Sequence, residues 1–328
     1  MALLLSLGDY RDSLLLSRRQ RDALLPRLLA AFRADPHPGI HSATEWLLRQ
    51  LGQAEELSKI ERELQGQAPQ PSQDWLVTPQ GHTMILIRGP VEFLMGSPAG
   101  EEGREKGEVL RREQIERSFA IAAKEVTLAQ FRRFWQDFRS GLQGDHNVER
   151  PVDRVDMFAA MAYCNWLSQV EGLPREQWCY EERGDGQLGL APDSYERTGY
   201  RLPSEREWEY ACRAGTTTAR HDGFGVDFLA RVAWHTLSED RSLHAVGSLK
   251  PNGLGLFDVY GNVREWCHTE TTAVDGVPLP ESDDFAYVRG GSVSSETRTL
   301  RSAYRLGVLA SSAMGEYGFR IARTMVLP

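Results

Sequence analysis

Cysteine is scarce in this chain, and the four present, Cys164, Cys179, Cys212 and Cys267, show no metal-type spacing. A disulfide framework is therefore not expected, and a reduced, cytoplasmic protein is the simplest reading. Long apolar runs are missing as well. Residues 1–7 are apolar, but no basic residue precedes them and Asp9 and Arg11 follow at once, so the stretch is too short for a signal-peptide core or a membrane span. Nor is there an excess of basic residues. With 38 Lys and Arg against 46 Asp and Glu, the net charge is -8. That argues against a general nucleic-acid surface, since counterion release needs clustered cations. What is present, over 328 residues that are 41% hydrophobic, is a soluble globular composition long enough for one large or two modest domains.

Residues 1–65 read as a helical segment. Leu14, Leu15, Leu24, Leu25, Leu28, Leu29 and Phe32 recur at helical spacing, with Pro26 starting or kinking a second helix. The stretch DPHPG at 35–39 breaks the pattern, and Ser42 with Glu45 gives a capping-box signature ahead of Trp46. Leu51, Leu57, Ile60 and Leu64 continue the apolar stripe. So small a set of helices is expected to pack on the main domain or on a partner protein. GQAPQPSQD at 66–74 is a linker. The main domain, 75–328, opens with a predicted hairpin over 75–77 and 84–87, then a strand at 93–97 and an exposed charged loop over 100–112. Helices are expected after Thr127, from Asp156 and after the Ser204/Glu207 capping box. Cys164 reads as a small core hydrophobe.

The stretch 287–323 organises the rest. Fixed-looking words, RGGS at 289–292, LRSAYR at 300–305 and GFR at 318–320, alternate with runs at 293–299 and 306–317 that keep neither a period of two nor of 3.6. They read as irregular surface backbone between anchored pieces, where binding groups are usually displayed. Further words precede them in order: FLMGS at 93–97, KEVT at 124–127, YCNWLS at 163–168, GYRLPSEREWEYA at 199–211 and GLFDVYGNVREW at 255–266. Together these resemble the formylglycine-generating-enzyme (sulfatase-modifying factor) family over about 75–328. The resemblance implies an α+β, C-type-lectin-like domain with much irregular backbone.

Function does not follow from fold. In the oxidases of that family two cysteines after the Gly-Gly-Ser word bind copper and do the thiol chemistry; here Ser295 and Leu300 stand in their places, and no cysteine follows Cys267. Neither side chain replaces a thiolate as a soft-metal ligand. No copper is expected. The closing words also resemble the variable proteins of diversity-generating retroelements, in which adenine replacement rewrites a C-terminal segment. Asparagine codons altered in that way yield the Ser, Thr, Val, Leu, Gly, Ala and Tyr that dominate the two runs, while Glu296, Arg298, Met314 and Glu316 fit less simply and read as fixed positions.

The expectation is therefore a non-catalytic, ligand-binding protein. Its face would comprise Val293, Ser294, Ser295, Glu296, Thr297, Thr299, Leu306, Gly307, Val308, Leu309, Ser311, Ser312, Gly315 and Tyr317, with Arg301, Tyr304, Arg305 and Arg320 as scaffold. A protein is the expected ligand, with Tyr317 as an amphipathic anchor. The family resemblance also implies one structural calcium at the GLFDVYGNVREW word, held at the positions of Asp258, Gly261, Val263 and Glu265, hard oxygen donors suited to Ca²⁺. Alternatives stay open: a fixed-specificity scaffold module of a defence or signalling assembly, or a metal-dependent oxidase. For an oxidase, His235, His244 and His268 are the main-domain candidates. Iron-dependent sulfoxide synthases of this fold carry a His-x3-His-x-Glu site, and His37 and His41 match its first spacing. Position 43 is Ala, however, and prolines flank His37, which favours a turn followed by a cap.

Overall fold

A computed structural model of the chain describes residues 1–9, 18–138, 147–184, 186–223, 225–238, 240–269, 285–313 and 315–327. Leu14, Leu15 and Met314 lie outside the described residues. Four helices come first: α1 (Ala2–Asp9), α2 (Arg18–Ala34), α3 (Pro38–Gln50) and α4 (Ala54–Leu64). Where the sequence pattern placed a helix start at Ser42, the helix in fact begins four residues earlier. Pro38 occupies its first turn, where a missing N–H costs nothing, and His37 Nδ1 accepts from Gly39 N at 3.1 Å. Ser42 and Glu45 are buried inside α3. The spaced histidines are thus a cap and a core residue. His41 stacks between Phe32 and Trp75 at 4.5 and 3.7 Å, and burial pushes its imidazole down to about 4, keeping it neutral.

The helices pack on the main domain. Phe257 from that domain sits in one apolar cluster with Leu28, Phe32, Trp46, Leu47 and Leu48. Trp75 Nε1 donates to Asp35 O at 2.7 Å, and Gly66 N donates to Val77 O at 2.9 Å, so the linker is pinned at both ends. Buried Glu45 accepts from Arg49 at 2.9 Å and from Lys124 of the main domain.

A five-stranded antiparallel sheet follows in the spatial order Trp75–Val77, Thr83–Ile87, Phe119–Ala122, Ala322–Thr324, Tyr200–Arg201. Its side chains alternate between two cores, as a period of two requires. Met84, Ala120 and Ala122 face a core shared with α5 (Leu128–Phe138) and α6 (Met157–Val170), including Phe131, Phe134, Tyr163 and Phe319. Ile85, Phe119 and Ile121 face a second core with α7 (Glu205–Arg213), including Trp208, Tyr260 and Leu300. The three helices start as the sequence predicts: Thr127 and Gln130 cap α5 reciprocally, Asp156 caps α6, and Ser204 and Glu207 form the capping box of α7. The predicted hairpin is present, with Trp75 opposite Ile85. The stretch 100–112, expected as an exposed loop, is instead partly built in: Arg111–Ile115 pairs with Val91–Met95, and Glu108 is buried against Arg301.

A four-stranded sheet carries the C-terminal words, in the order Arg305–Leu309, Phe285–Arg289, Arg264–Cys267, Tyr317–Gly318. The last pair is parallel and the others antiparallel. The domain is therefore α+β with a C-type-lectin-like arrangement, its closing strand lodged inside the first sheet. Among the described residues no helix is long and apolar enough to cross a membrane.

Candidate recognition surface

The fixed words owe their form to arginines, of which Arg289, Arg301 and Arg320 are buried and Arg305 is half-buried. Arg289 donates to Ser302 O at 2.9 Å and Ala303 O at 3.3 Å and pairs with Glu209, tying the Arg-Gly-Gly-Ser word to the next one. Arg301 pairs with Glu101 and Glu108, both at 2.7 Å, and Arg320 grips Glu265 at 2.5 and 2.7 Å. Arg305 lies over the Tyr287 ring at 3.5 Å and pairs with Glu205 at 2.5 Å. A buried guanidinium is tolerated only with such charge-assisted partners, so each word fixes both a residue and its neighbour. The carboxylates of α7 serve this scaffold: burial would raise Glu207, but Arg201 and Arg117 hold it at about 2.

Between the words the backbone turns sharply. Gly290 and Gly291 have φ of 84° and 75°, and a Cβ on Gly291 would lie 2.6 Å from Leu300 Cδ2. Leu300 is fully buried in the second core, and Ser295 is 3% exposed. Ser295 Oγ accepts from Ser292 N at 2.9 Å and from Arg264 at 3.1 Å. The positions expected to be cysteine in an oxidase thus hold a core aliphatic and a satisfied hydroxyl. The cysteines present are all buried, with burial pushing Cys179 and Cys212 up to about 11 and Cys164 and Cys267 well above the usual thiol range.

Of the fourteen residues expected on the face, Ser294, Glu296, Gly307, Leu309, Ser311 and Gly315 are exposed, while Thr297, Thr299, Leu306, Val308, Ser312 and Tyr317 are half-buried. Val293 and Ser295 are buried and leave the face. Residues 306–309, expected to be irregular, form a strand against Phe285–Arg289. Leu306 and Val308 lean on the core while Gly307 and Leu309 face out. The alternation was hidden because Leu309, though apolar, points outward beside its register partner Phe285; the two are 49% and 47% exposed. Tyr317 is also part of the scaffold: it packs against the first core and meets the Trp266 ring edge-on at 5.4 Å.

Glu316 joins the two runs. Its carboxylate accepts from Ser292 Oγ at 2.5 Å, from Ser294 Oγ and from Arg264 at 3.3 Å. Sequence reasoning set Glu316 apart from its neighbours but gave it no role. The geometry supplies one, a clamp that holds residues 292–295 to the end of the second run.

Of the expected calcium ligands, Glu265 is already engaged and Asp258 is engaged at one oxygen only. Gly261 and Asn262 turn left-handed, and a Cβ on Gly261 would strike Trp234 O at 1.9 Å. Glu265 spends both oxygens on Arg320 and also accepts from Trp208 Nε1 at 2.8 Å. Its charge is neutralised by the guanidinium, so it does not fit a cation. Asp258 accepts from Gly247 N, leaving its Oδ1 buried without a hydrogen-bond partner; burial raises it to about 6. Among the described residues no group of three or more His, Cys, Asp or Glu is arranged to hold a metal ion. The histidines are dispersed: His268 bonds Tyr180 OH at 2.8 Å, His244 stacks on Trp234 at 3.6 Å, and His235 Nδ1 accepts from Leu237 N at 3.2 Å.

A chaperone protein, LppX of Paenibacillus barcinonensis, is 30% identical over 237 residues, covering 63% of this chain and 80% of that protein. A formylglycine-generating enzyme of Streptomyces coelicolor is 28% identical over 275 residues, covering 70% and 86%. Among solved structures, Treponema denticola variable protein 1 superposes with a TM-score of 0.61 at 24% identity, covering 74% of this chain and 95% of the other. PvdO from Pseudomonas aeruginosa gives 0.62 at 22%, covering 79% and 100%. The family described as the sulfatase-modifying factor enzyme 1-like domain matches residues 71–325. With most of its length so matched and the buried arginine words in place, the chain belongs to the sulfatase-modifying factor enzyme 1-like (formylglycine-generating-enzyme) family.

Proposed function

We propose that this chain is a non-catalytic recognition protein that binds a protein ligand through the outward residues of 293–317. The observation that carries the reading is the chemistry at the two oxidase positions: Leu300 is core, Ser295 is a satisfied hydroxyl, and every cysteine is buried elsewhere. What this part of the molecule offers to solvent is a set of small polar and apolar side chains on a rigid frame. Gly307, Leu309 and Ser311 can each be exchanged without touching a buried arginine or a core, whereas Ser294 is held by Glu316 and Gly315 has a φ of 52°. Glu296, although exposed, is tied to Arg298 at 2.7 Å. The variable protein of Treponema denticola has the same fold, at a likeness that carries the fold alone; the case for a diversified surface rests on the residue types in the two runs.

Two measurements test this. Deep sequencing of the gene from a growing population is expected to show substitutions at adenine positions clustered in codons 293–317, with codons 300–305 unchanged; an even spread along the gene would remove diversification and leave a fixed-specificity module. Incubation of copper-loaded protein with a cysteine-bearing sulfatase peptide is expected to give no aldehyde by mass spectrometry. Aldehyde formation would overturn the non-catalytic reading.

A further inference from the structure

A cavity of about 240 Å³ opens where the loop 98–102 meets the first run, lined by Glu101 and Glu102 from the loop and by Thr297, Arg298 and Arg301 from the run and the word after it. That is below the roughly 300–1,000 Å³ of a pocket that encloses a whole small molecule, and it suits a single long side chain. Arg301 fixes both sides of it, donating to Gly103 O at 2.5 Å and to Arg298 O at 2.7 Å. The charge around the cavity is one-sided. Arg301 meets two carboxylates, Glu101 and Glu108, each at 2.7 Å, so one guanidinium serves two acids. Arg298 is tied to Glu296 at 2.7 Å, and Arg220 donates to Gly225 O at 2.6 Å and lies 3.7 Å from Asp222. Glu102, exposed, adds a further carboxylate. Glu101 is the telling residue. Its side chain is 3% exposed and its Oε1 accepts from Arg301, but its buried Oε2 accepts no hydrogen bond among the described residues. A buried carboxylate oxygen without a donor is costly, and a donor carried by a ligand removes that cost. The remaining lining includes the buried Ala219 and Val226, which is 55% exposed. An alkyl stem that ends in a cation matches this combination.

We propose that this cavity receives a basic side chain, lysine or arginine, of the protein ligand bound by the 293–317 face, with its alkyl stem against Ala219 and Val226 and its charged end on Glu101. The proposal rests on the recognition reading above and adds to it a charge requirement on the partner. Thr297 lines the cavity from within the first run, so the residue at that position helps to set what enters.

Titration of the full chain, labelled at its alanine and valine methyls, with Nα-acetyl-lysine N-methylamide tests the proposal by NMR, with the arginine and norleucine counterparts as further probes. At least one basic probe is expected to shift the Ala219 and Val226 methyls saturably, and which one does so separates an ammonium from a guanidinium. The norleucine probe, a stem without the charge, should not shift them. Val170, 42% exposed at the end of α6, supplies a methyl that should stay still. Glu101→Gln should weaken binding about 10-fold or more, as a charge-assisted contact becomes a neutral one. Should that variant fail to fold by circular dichroism, Thr297→Lys, which puts an ammonium of the chain's own at the cavity, should abolish probe binding instead. No saturable shift with either basic probe, equal shifts with the norleucine probe, or full binding in the folded variant would each overturn the proposal. Probe binding alongside copper-dependent aldehyde formation would keep the cavity and overturn the recognition reading, whereas clustered codon changes without probe binding would overturn the cavity alone.

Discussion

Replacing Lys124 by Met should loosen the helical segment from the main domain, and the structure sets the size of the effect. Glu45 is 1% exposed and has two cationic partners, Lys124 from the main domain and Arg49 one turn along its own helix. Burial alone would raise its carboxyl; Lys124 and Arg49 instead hold it at about 2, against an ordinary 4.5. That depression corresponds to about 3 kcal/mol at neutral pH. Removing one partner of a buried pair costs about 3–5 kcal/mol when nothing replaces it. Because Arg49 remains, a loss of about 2–3 kcal/mol is expected for Lys124→Met in urea denaturation followed by tryptophan fluorescence. Glu45→Gln should remove most of the coupling, so the double variant should be little worse than the worse single one. The pH dependence has a definite sign. A depressed acid contributes stability that is present above pH 4.5 and lost as pH falls toward 2, and Glu45→Gln should flatten the stability curve across that window. A loss below about 1 kcal/mol for Lys124→Met, or an unchanged acid limb in Glu45→Gln, would refute the idea that this pair holds the helices down.

Three further outcomes are expected. Native protein should show no fast-reacting thiol toward an aromatic disulfide reagent, and all four cysteines should react once it is denatured; a fast native phase would contradict their burial. Millimolar calcium, compared with chelator, should move the thermal midpoint by less than about 1 °C, since Glu265 is already neutralised by Arg320, and a concentration-dependent rise would restore the calcium expectation. Glu316→Ala should cost about 1–2 kcal/mol and speed amide exchange across 292–299, as three charge-assisted contacts are lost from a carboxylate that is 23% exposed. Unchanged exchange there would remove its role as a clamp.

Much of the architecture could be read from residues that have few alternatives. The Gly-Gly-Ser and Gly-Phe-Arg words, the capping box at Ser204 and the aromatic face of α5 each state a local geometry that the chain then adopts. Long-range partners could not be read. Nothing near Arg301 in sequence announces Glu101 and Glu108, some two hundred positions earlier, so an acidic stretch that neutralises a buried guanidinium looked like a solvated loop. Residues 306–309 hide their strand for a different reason: hydrophobic alternation reports burial, and an outward Leu309 erases it. Ser42 shows the limit of cap signatures, since the same Ser-x-x-Glu spacing fits the middle of a helix when a Pro and a His upstream already start it. On the candidate face, which members of 293–317 face solvent depends on packing against Trp266 and on the Gly291 turn, which residue type does not report.

The strand Ala322–Thr324 is the fourth of five in its sheet, hydrogen-bonded on both sides, to Phe119–Ala122 and to Tyr200–Arg201. It is also translated after every codon of the two runs. A frameshift or stop anywhere in 293–317 therefore removes an interior strand and Arg320 together, and leaves a ribosomal product with an open sheet and a buried, unpaired Glu265. A substitution in the same codons at an outward position leaves the strand intact. The order of the chain thus makes completion of the fold a reading-frame check on the surface it carries, passing changes of side chain and rejecting changes of length that lose the frame.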